Sequence, residues 1–469
     1  VFTSLTRNTL IQAIERIVSV LLGFATVAAL TRLLGVEGFG TYSTIIVLVQ
    51  FAASLVDFGL GLTLSQLIAE PKAQEQKILQ TIVPLRIATS VTAFTLTAGI
   101  TILLPYSREI VSGVVAISGA FVGLQISQLL AGYFRAHLSI WVVATAEVFQ
   151  RTVYLVVLGW LFLANGAVGE LLPTILWAAT ITQLFAAGFL VWAIHRRVKL
   201  TFGFDLAIAR LILRRNLPLT LSMLATLFYF KADTVILSLY RSSAEVGLYS
   251  APYKLLETLV NLPHLFLSLV LPLATAAWAN RDLEQLKKLW QWSFTTTVLI
   301  TLPMTVGGLL VAKPLITAVA GTAFVPATPL LQILLVATAL IMLGTQSAYI
   351  VLATGKQQRI LLIYIVASTV TVGAYFWLIP HFGAFAAAWI TLAVEAVMAL
   401  ANTILAARTL VWFPQIKPIM PIMVASAIMG LVVWLTRSQP FALVMALAMA
   451  TYLAALPQLG FKFDALQKT

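Results

Sequence analysis

Fourteen runs of 18 to 31 mostly apolar residues follow one another along this chain. They lie at roughly 9–33, 41–67, 79–104, 110–132, 139–163, 171–194, 217–240, 246–276, 290–312, 328–352, 359–379, 384–407, 418–435 and 440–459. A helix adds about 1.5 Å per residue, so about 20 such residues cross the hydrocarbon core of a bilayer. Of the 469 residues, 61% are hydrophobic and only 10% charged. That share far exceeds what a globular chain carries. The runs leave only short connections and no room for a soluble catalytic domain. They are also far too long for tilted barrel strands, so the expected class is an all-α polytopic membrane protein of about fourteen spans. The first run contains Glu15 and Arg16 and lacks a small-residue cleavage site, and it reads as a retained span, not a cleaved leader.

The chain has no cysteine, which removes disulfides, thiolate metal sites and thiol chemistry. His137, His195, His264 and His381 are scattered without ligand spacing, and each reads as a packing or interface histidine. No nucleophile motif or phosphate-binding GxxxxGK[ST] loop is present, so an enzyme, an ATP site, a bound metal and a cofactor are not expected.

The net charge of +13 points to anionic lipid or an anionic substrate, not to nucleic acid. Numbering the connections by side places nineteen Lys and Arg on the side of the N-terminus and only Arg32, Arg108, Arg241, Lys313 and Arg437 on the other. By the positive-inside rule both termini are expected in the cytoplasm. Trp141, Trp192, Trp290, Trp292, Trp412 and Trp434 fall near span ends and read as the interfacial aromatic belt.

The longest polar stretch, 195–216, mixes six Lys and Arg with Phe204, Leu206, Ile208 and Leu211. It reads as an interfacial cytoplasmic linker, although the positive-inside rule explains its basicity equally well. It also separates two similar halves. Gly40-Thr41-Tyr42-Ser43 is echoed by Gly247-Leu248-Tyr249-Ser250, an offset of 207 positions. Leu130-Ala131-Gly132 is echoed by Leu352-Ala353-Thr354-Gly355, and Gly166-Ala167-Val168-Gly169 by Gly383-Ala384-Phe385-Ala386. The expected organisation is an N-lobe of six helices (1–194), the linker (195–216), a C-lobe of six helices (217–407), and two further helices with a cytoplasmic tail (408–469). An even number of spans per repeat gives the lobes the same orientation, related by a pseudo-two-fold axis along the membrane normal.

The segment Thr31-Arg32-Leu33-Leu34-Gly35-Val36-Glu37-Gly38-Phe39-Gly40-Thr41-Tyr42, with Asp57-Phe58-Gly59-Leu60-Gly61 further on, resembles the N-terminal signature of the polysaccharide-biosynthesis flippases. These are Wzx-type translocases of the multidrug/oligosaccharidyl-lipid/polysaccharide exporter superfamily. The resemblance implies a transporter in the bacterial inner membrane. It would carry a polyprenyl-pyrophosphate-linked oligosaccharide to the outer leaflet by alternating access, through a cationic central cavity, for cell-surface polysaccharide synthesis. It also implies membrane lipids, a polysaccharide polymerase and glycosyltransferases as partners, with a proton or sodium gradient as a driving force.

Charges inside spans are costly and mark function or interhelical pairing. The basic ones are Arg16, Arg86, Arg151, Lys231 and Lys254, candidates for holding a pyrophosphate because guanidinium and ammonium groups bind phosphate oxygens. The acidic ones, Asp57, Glu147, Asp233, Glu257 and Glu395, are candidates for ion coupling or gating, as is Glu15. Spacing pairs Glu147 with Arg151 and Lys254 with Glu257, whereas Lys231 and Asp233 point apart. Asp57 belongs to the signature turn, where it fits a gate or cap. Glu395 has no basic neighbour close in sequence and is the preferred protonatable group.

Two other readings compete with a flippase. An ion-coupled multidrug or small-molecule antiporter of the same superfamily is disfavoured by a cationic cavity. A membrane glycan polymerase or ligase is disfavoured by the short, charge-poor outward connections, of which the longest is 312–328.

Overall fold

The computed structural model describes residues 2–56, 60–70, 74–164, 168–198 and 203–461, without the side chains at 2–14, 16–17, 55–56, 62, 168–170, 213, 215–230, 262 and 265. Among the described residues every regular element is helical, and ten helices are long and apolar enough to cross a membrane. In order they are α1 (Phe2–Val56), α2 (Leu60–Ala69), α3 (Glu75–Leu103), α4 (Arg108–Ala136), α5 (Trp141–Leu163), α6 (Val168–His195), α7 (Leu206–Tyr240) and α8 (Ser243–Leu259). There follow α9 (Leu262–Ala279), α10 (Leu283–Leu310), α11 (Ala312–Ala320), α12 (Thr328–Ala353), α13 (Gln357–Leu410), α14 (Met420–Thr436) and α15 (Phe441–Gln458).

Two helices are far longer than a bilayer is thick, α1 with 55 residues and α13 with 54. Each contains one residue with non-helical backbone angles, Gly35 (φ 64°, ψ −169°) and Gly383 (φ 57°, ψ −138°). A side chain is strained in that left-handed region, so glycine is what permits the chain to turn there without a loop. The sequence places a connection over 34–40; instead a single residue makes the break and the helix resumes at once.

The run at 246–276 is likewise not one helix. It is interrupted at Val260 and Asn261, between α8 and α9. Pro263 has no N–H to give the preceding turn, and the Asn261 side-chain amide donates to the Glu257 carbonyl at 2.7 Å, taking up an acceptor that the break releases. The 312–328 connection is ordered too, as α11 and a 3₁₀ turn over Thr322–Ala327. Of the basic stretch, the part from Leu206 onward is the start of α7.

The chain divides into two compact units, Val1–Gly247 and Leu248–Thr469. In the first, α4 packs on α6 and α2, and α1 on α5; in the second, α12 packs on α13, α10 on α12 and α14, and α14 on α15. Lipid tails are as apolar as leucine, so close backbone approach and interhelical hydrogen bonds do the work that hydrophobic burial does in water. The closest approach in the first unit joins α1 to the start of α8. A Cβ on Gly40 would overlap the Ser243 carbonyl, and one on Gly247 would overlap the Val36 carbonyl. A run of hydroxyls in α10 is satisfied along its own helix. Thr297, Thr301 and Thr305 of α10 each donate to the carbonyl four residues back, at 2.8–2.9 Å.

One aromatic belongs elsewhere than expected. Trp290 is fully buried, with its ring 5.6 Å from that of Trp412, inside a cluster of Ala277, Leu286 and Ile350. It is a core residue held by a second aromatic, not a belt residue, whereas Trp141, Trp192 and Trp434 are exposed as a belt requires.

Candidate functional site

The intramembrane charges fall into three structural situations. The first is saturation. Arg86 of α3 has no exposed surface; its Nε donates to the Gln125 carbonyl of α4 at 3.3 Å and its Nη2 to Gln125 Oε1. Gln125 Nε2 donates in turn to the Ala53 carbonyl of α1 at 2.7 Å. The guanidinium thus closes a chain of hydrogen bonds through three helices and presents nothing to a ligand. Asp233 of α7 is equally enclosed, and one of its oxygens accepts from the Thr234 hydroxyl at 3.1 Å. Lys231 is half-buried two positions earlier and feels the Asp233 carboxylate electrostatically. Glu395 of α13 is buried close to Tyr364. Glu395 has partners of its own within the structure.

The second situation is a half-buried charge with room beside it. Arg151 of α5 is partly exposed, and its Nη1 stands 4.0 Å from where a Cβ of Gly23 would be, so α1 leaves space for the guanidinium by having no side chain there. Arg151 forms no hydrogen bond or ion pair with any described residue. Glu147, one turn earlier, has a partner elsewhere, so the pair expected from i,i+4 spacing is not made. Glu15 accepts from Ser19 Oγ at 2.8 Å. The Arg16 side chain and Asp57, with the rest of its signature turn at 57–59, lie outside the described residues.

The third is a polar face along α8 and its break. Lys254 Nζ and Glu257 Oε2 are 2.8 Å apart, the expected i,i+3 pair, with each side chain a little over a quarter exposed (27% and 28%). One turn on stands Asn261, and beyond the break His264 Nδ1 lies 3.0 Å from the Tyr349 hydroxyl of α12. Neither Asn261 nor His264 stands out in a hydropathy reading; the Asn261-Leu262-Pro263 sequence in the middle of an apolar run is the signal that marks this break.

About a third of a turn round α8 from Lys254, Leu255 and Leu259 line an apolar cavity of about 350 Å³. Met304, Met429, Met445 and Met449 line it from α10, α14 and α15. Tyr452 completes the wall, but its hydroxyl is already committed to the Leu299 carbonyl at 2.8 Å. Methionines adapt to irregular apolar guests, so this wall accepts a flexible hydrocarbon. Among the described residues no His, Asp and Glu cluster is arranged to hold a metal ion.

The model of the family described as polysaccharide biosynthesis protein matches residues 5–278, more than half of the chain. The chain belongs to that family. No curated protein sequence is similar enough to register as a match. Among solved structures, the lipid II flippase MurJ in an inward closed conformation superposes with a TM-score of 0.72 at 13% identity, covering 96% of this chain and 98% of MurJ. An inward-facing multidrug resistance MATE transporter of the MOP superfamily gives 0.70 at 15% identity, covering 86% and 98%. A MOP superfamily transporter from Pyrococcus furiosus, described as having a binding pocket of reversed polarity, gives 0.59 at 16%, covering 87% and 95%. At these identities the likeness establishes the fold, that of the MOP superfamily. The fold-mates are flippases and transporters, not enzymes, and the protein is a multi-pass membrane protein as its sequence indicates.

Proposed function

We propose that this member of the family is a flippase that moves a polyprenyl-pyrophosphate-linked oligosaccharide across the bacterial inner membrane for cell-surface polysaccharide synthesis. The observation that carries this reading is the two-faced α8. Such a substrate is an amphiphile, with a long hydrocarbon, a diphosphate and a sugar chain. Along α8 and its break, Lys254, Glu257 and Asn261 offer charge and hydrogen bonds, while Leu255 and Leu259 open on a methionine-lined cavity. The hydrocarbon takes the cavity and the diphosphate takes the ammonium. A diphosphate carries more charge than the Glu257 carboxylate and displaces it from Lys254.

Arg151 is the matching cation of the first unit, and Arg86 is a structural residue. The other intramembrane carboxylates, Glu147, Asp233 and Glu395, are the candidates for coupling to a proton or sodium gradient. The 55 and 54 residues of α1 and α13 each make two crossings about their glycine breaks. This supports fourteen spans in two six-span lobes plus two helices, with both termini in the cytoplasm.

The test is leaflet exchange of a fluorescent polyprenyl-pyrophosphate oligosaccharide in proteoliposomes, with and without a pH gradient. The Arg151→Gln/Lys254→Gln variant is expected to slow exchange at least tenfold, since each charge-assisted contact contributes about 1.5–3 kcal/mol. Unchanged exchange in a folded double variant would remove the head-group assignment. Efflux of small organic cations with no glycan exchange by the native protein would replace the flippase with a drug antiporter.

A further inference from the structure

Beyond Lys254 the polar groups of this segment continue in a line. The Val260 N–H still bonds the Leu256 carbonyl at 2.9 Å, and Asn261 keeps helical backbone angles (φ −77°, ψ −15°). Asn261 therefore lies seven positions, about 10 Å, along the helix from Lys254 and on nearly the same side. Three positions further, inside α9, His264 stands against Tyr349 of α12. Two sides of α9 are exposed. Leu269 (65%) and Leu273 (53%), one turn apart, suit contact with hydrocarbon. His264, Ser268 and Thr275 are exposed as well; at about 100° per residue they fall within about 40° of one another and about 140° from the leucines. Polar side chains are costly against acyl chains, so this second side faces a passage.

The line leads away from the methionine-lined cavity. Leu255 and Leu259 line that cavity from α8, and neither Asn261 nor His264 does. Leu335 is the α12 residue that lines it, and Tyr349 stands fourteen positions, about 21 Å, further along the same helix.

The chemistry along the line changes from charge to neutral oxygen. The Asn261 amide nitrogen is spent on the Glu257 carbonyl, and its Oδ1 accepts nothing from the described residues. The Tyr349 oxygen has one hydrogen bond among the described residues, with His264 Nδ1 at 3.0 Å, and keeps a lone pair whichever of the two donates. Open oxygens of this kind repel phosphate and accept from hydroxyl groups, so an anion stays at the Lys254 ammonium. We propose that Asn261, His264 and Tyr349 form a subsite for the sugar chain, exchanging hydrogen bonds with its ring hydroxyls. The subsite rests on the flippase reading, in which the hydrocarbon occupies the cavity and the diphosphate meets Lys254. It completes the order tail, diphosphate, sugar along α8 and α9. A site that hydrogen-bonds a hydroxyl discriminates against a ligand that lacks it, which makes these three residues determinants of specificity.

The experiment measures dissociation constants of the full-length protein in detergent for polyprenyl diphosphate and for the same lipid carrying an oligosaccharide that begins with glucose, galactose or N-acetylglucosamine. At least one glycosylated form is expected to bind about tenfold tighter than the sugar-free lipid, each neutral hydrogen bond contributing on the order of a fivefold change. His264→Phe/Tyr349→Phe keeps an aromatic ring at each position and is expected to erase that difference while sugar-free binding stays native. Tyr349→Phe alone is expected to lose part of it, and Lys254→Gln to weaken both forms alike. Equal binding of all forms by the native protein would overturn the subsite and leave the diphosphate assignment standing. So would an undiminished sugar preference in the double variant, or a double variant that weakens both forms alike, since the pair would then serve packing. A native protein that binds neither form would overturn the flippase reading and the subsite with it.

Discussion

The pair α3 and α4 in the first unit and the pair α10 and α12 in the second each bury a glutamine between helices, with different chemistry. Arg86 stands 207 positions before Ser293, the offset that also separates Gly40 from Gly247. Each faces a buried glutamine on the next long helix of its unit. Arg86 binds Gln125 through two nitrogens, whereas Ser293 Oγ reaches Gln346 Oε1 at only 3.5 Å, and Gln346 turns its amide to the neighbouring Ser347 at 2.8 Å. One unit therefore sets a cation against its buried glutamine and the other a neutral hydroxyl. A charge inside a membrane helix is no proof of a ligand: where it is enclosed and hydrogen-bonded between helices, as Arg86 is, it belongs to the packing.

The largest test of this contrast is Arg86→Ala. It strands two acceptors of Gln125 in a dry interface, and the thermal midpoint in detergent is expected to fall by the equivalent of about 3 kcal/mol or more. Ser293→Ala is expected to cost about 1 kcal/mol or less, because the hydroxyl donates to the Trp290 carbonyl of its own helix at 3.0 Å and its contact with Gln346 is long. If Arg86→Ala instead keeps the native midpoint and abolishes glycan exchange, Arg86 returns to the substrate site and the comparison collapses.

Intermediate in size are Gly40→Ala and Gly247→Ala. Each new methyl meets a carbonyl of the facing helix, and overpacking of this kind costs about 1–3 kcal/mol. Similar losses in the two variants would show that one crossing was broken from both sides.

The smallest effect concerns Tyr106, in the connection between α3 and α4. Burial pushes its phenol above the ordinary tyrosine range, opposed by a hydrogen bond with Ser238 at 2.8 Å. Ionisation is therefore harder in the folded chain than in the unfolded one. The contribution is fully present below the unfolded value near pH 10 and is lost as pH rises beyond it. Tyr106→Phe is expected to lower stability at neutral pH by about 1 kcal/mol and to flatten the alkaline decline, as read by unfolding between pH 7 and 11.

Hydropathy made the membrane class legible because a bilayer demands long apolar helices, and the signature residues made the family legible. Two features escaped it. A window average cannot see the break in α8, since Leu259, Val260, Leu262 and Leu265 keep the mean high around Asn261 and Pro263. Nor can spacing along one helix tell Arg86 from Arg151. Glu147 lies in the right position to neutralise Arg151, and nothing at i±3 or i±4 neutralises Arg86. The neighbouring helices reverse that expectation: Gln125 and Ala53 enclose Arg86, while Gly23 leaves Arg151 its space. Partners across helices are set by tertiary packing, which one helical face does not encode.

The glycine crossing also sets a rule of length. Gly247 pins α8 where no other residue fits, and Lys254 follows seven positions later, just short of two turns. One residue inserted between them would rotate everything downstream by about 100° and carry the Lys254 ammonium into the place of Leu255, facing methionines. Residues on either face of α8 are free to change. Their number is not, so substitutions will accumulate in this interval while insertions and deletions are purged from it.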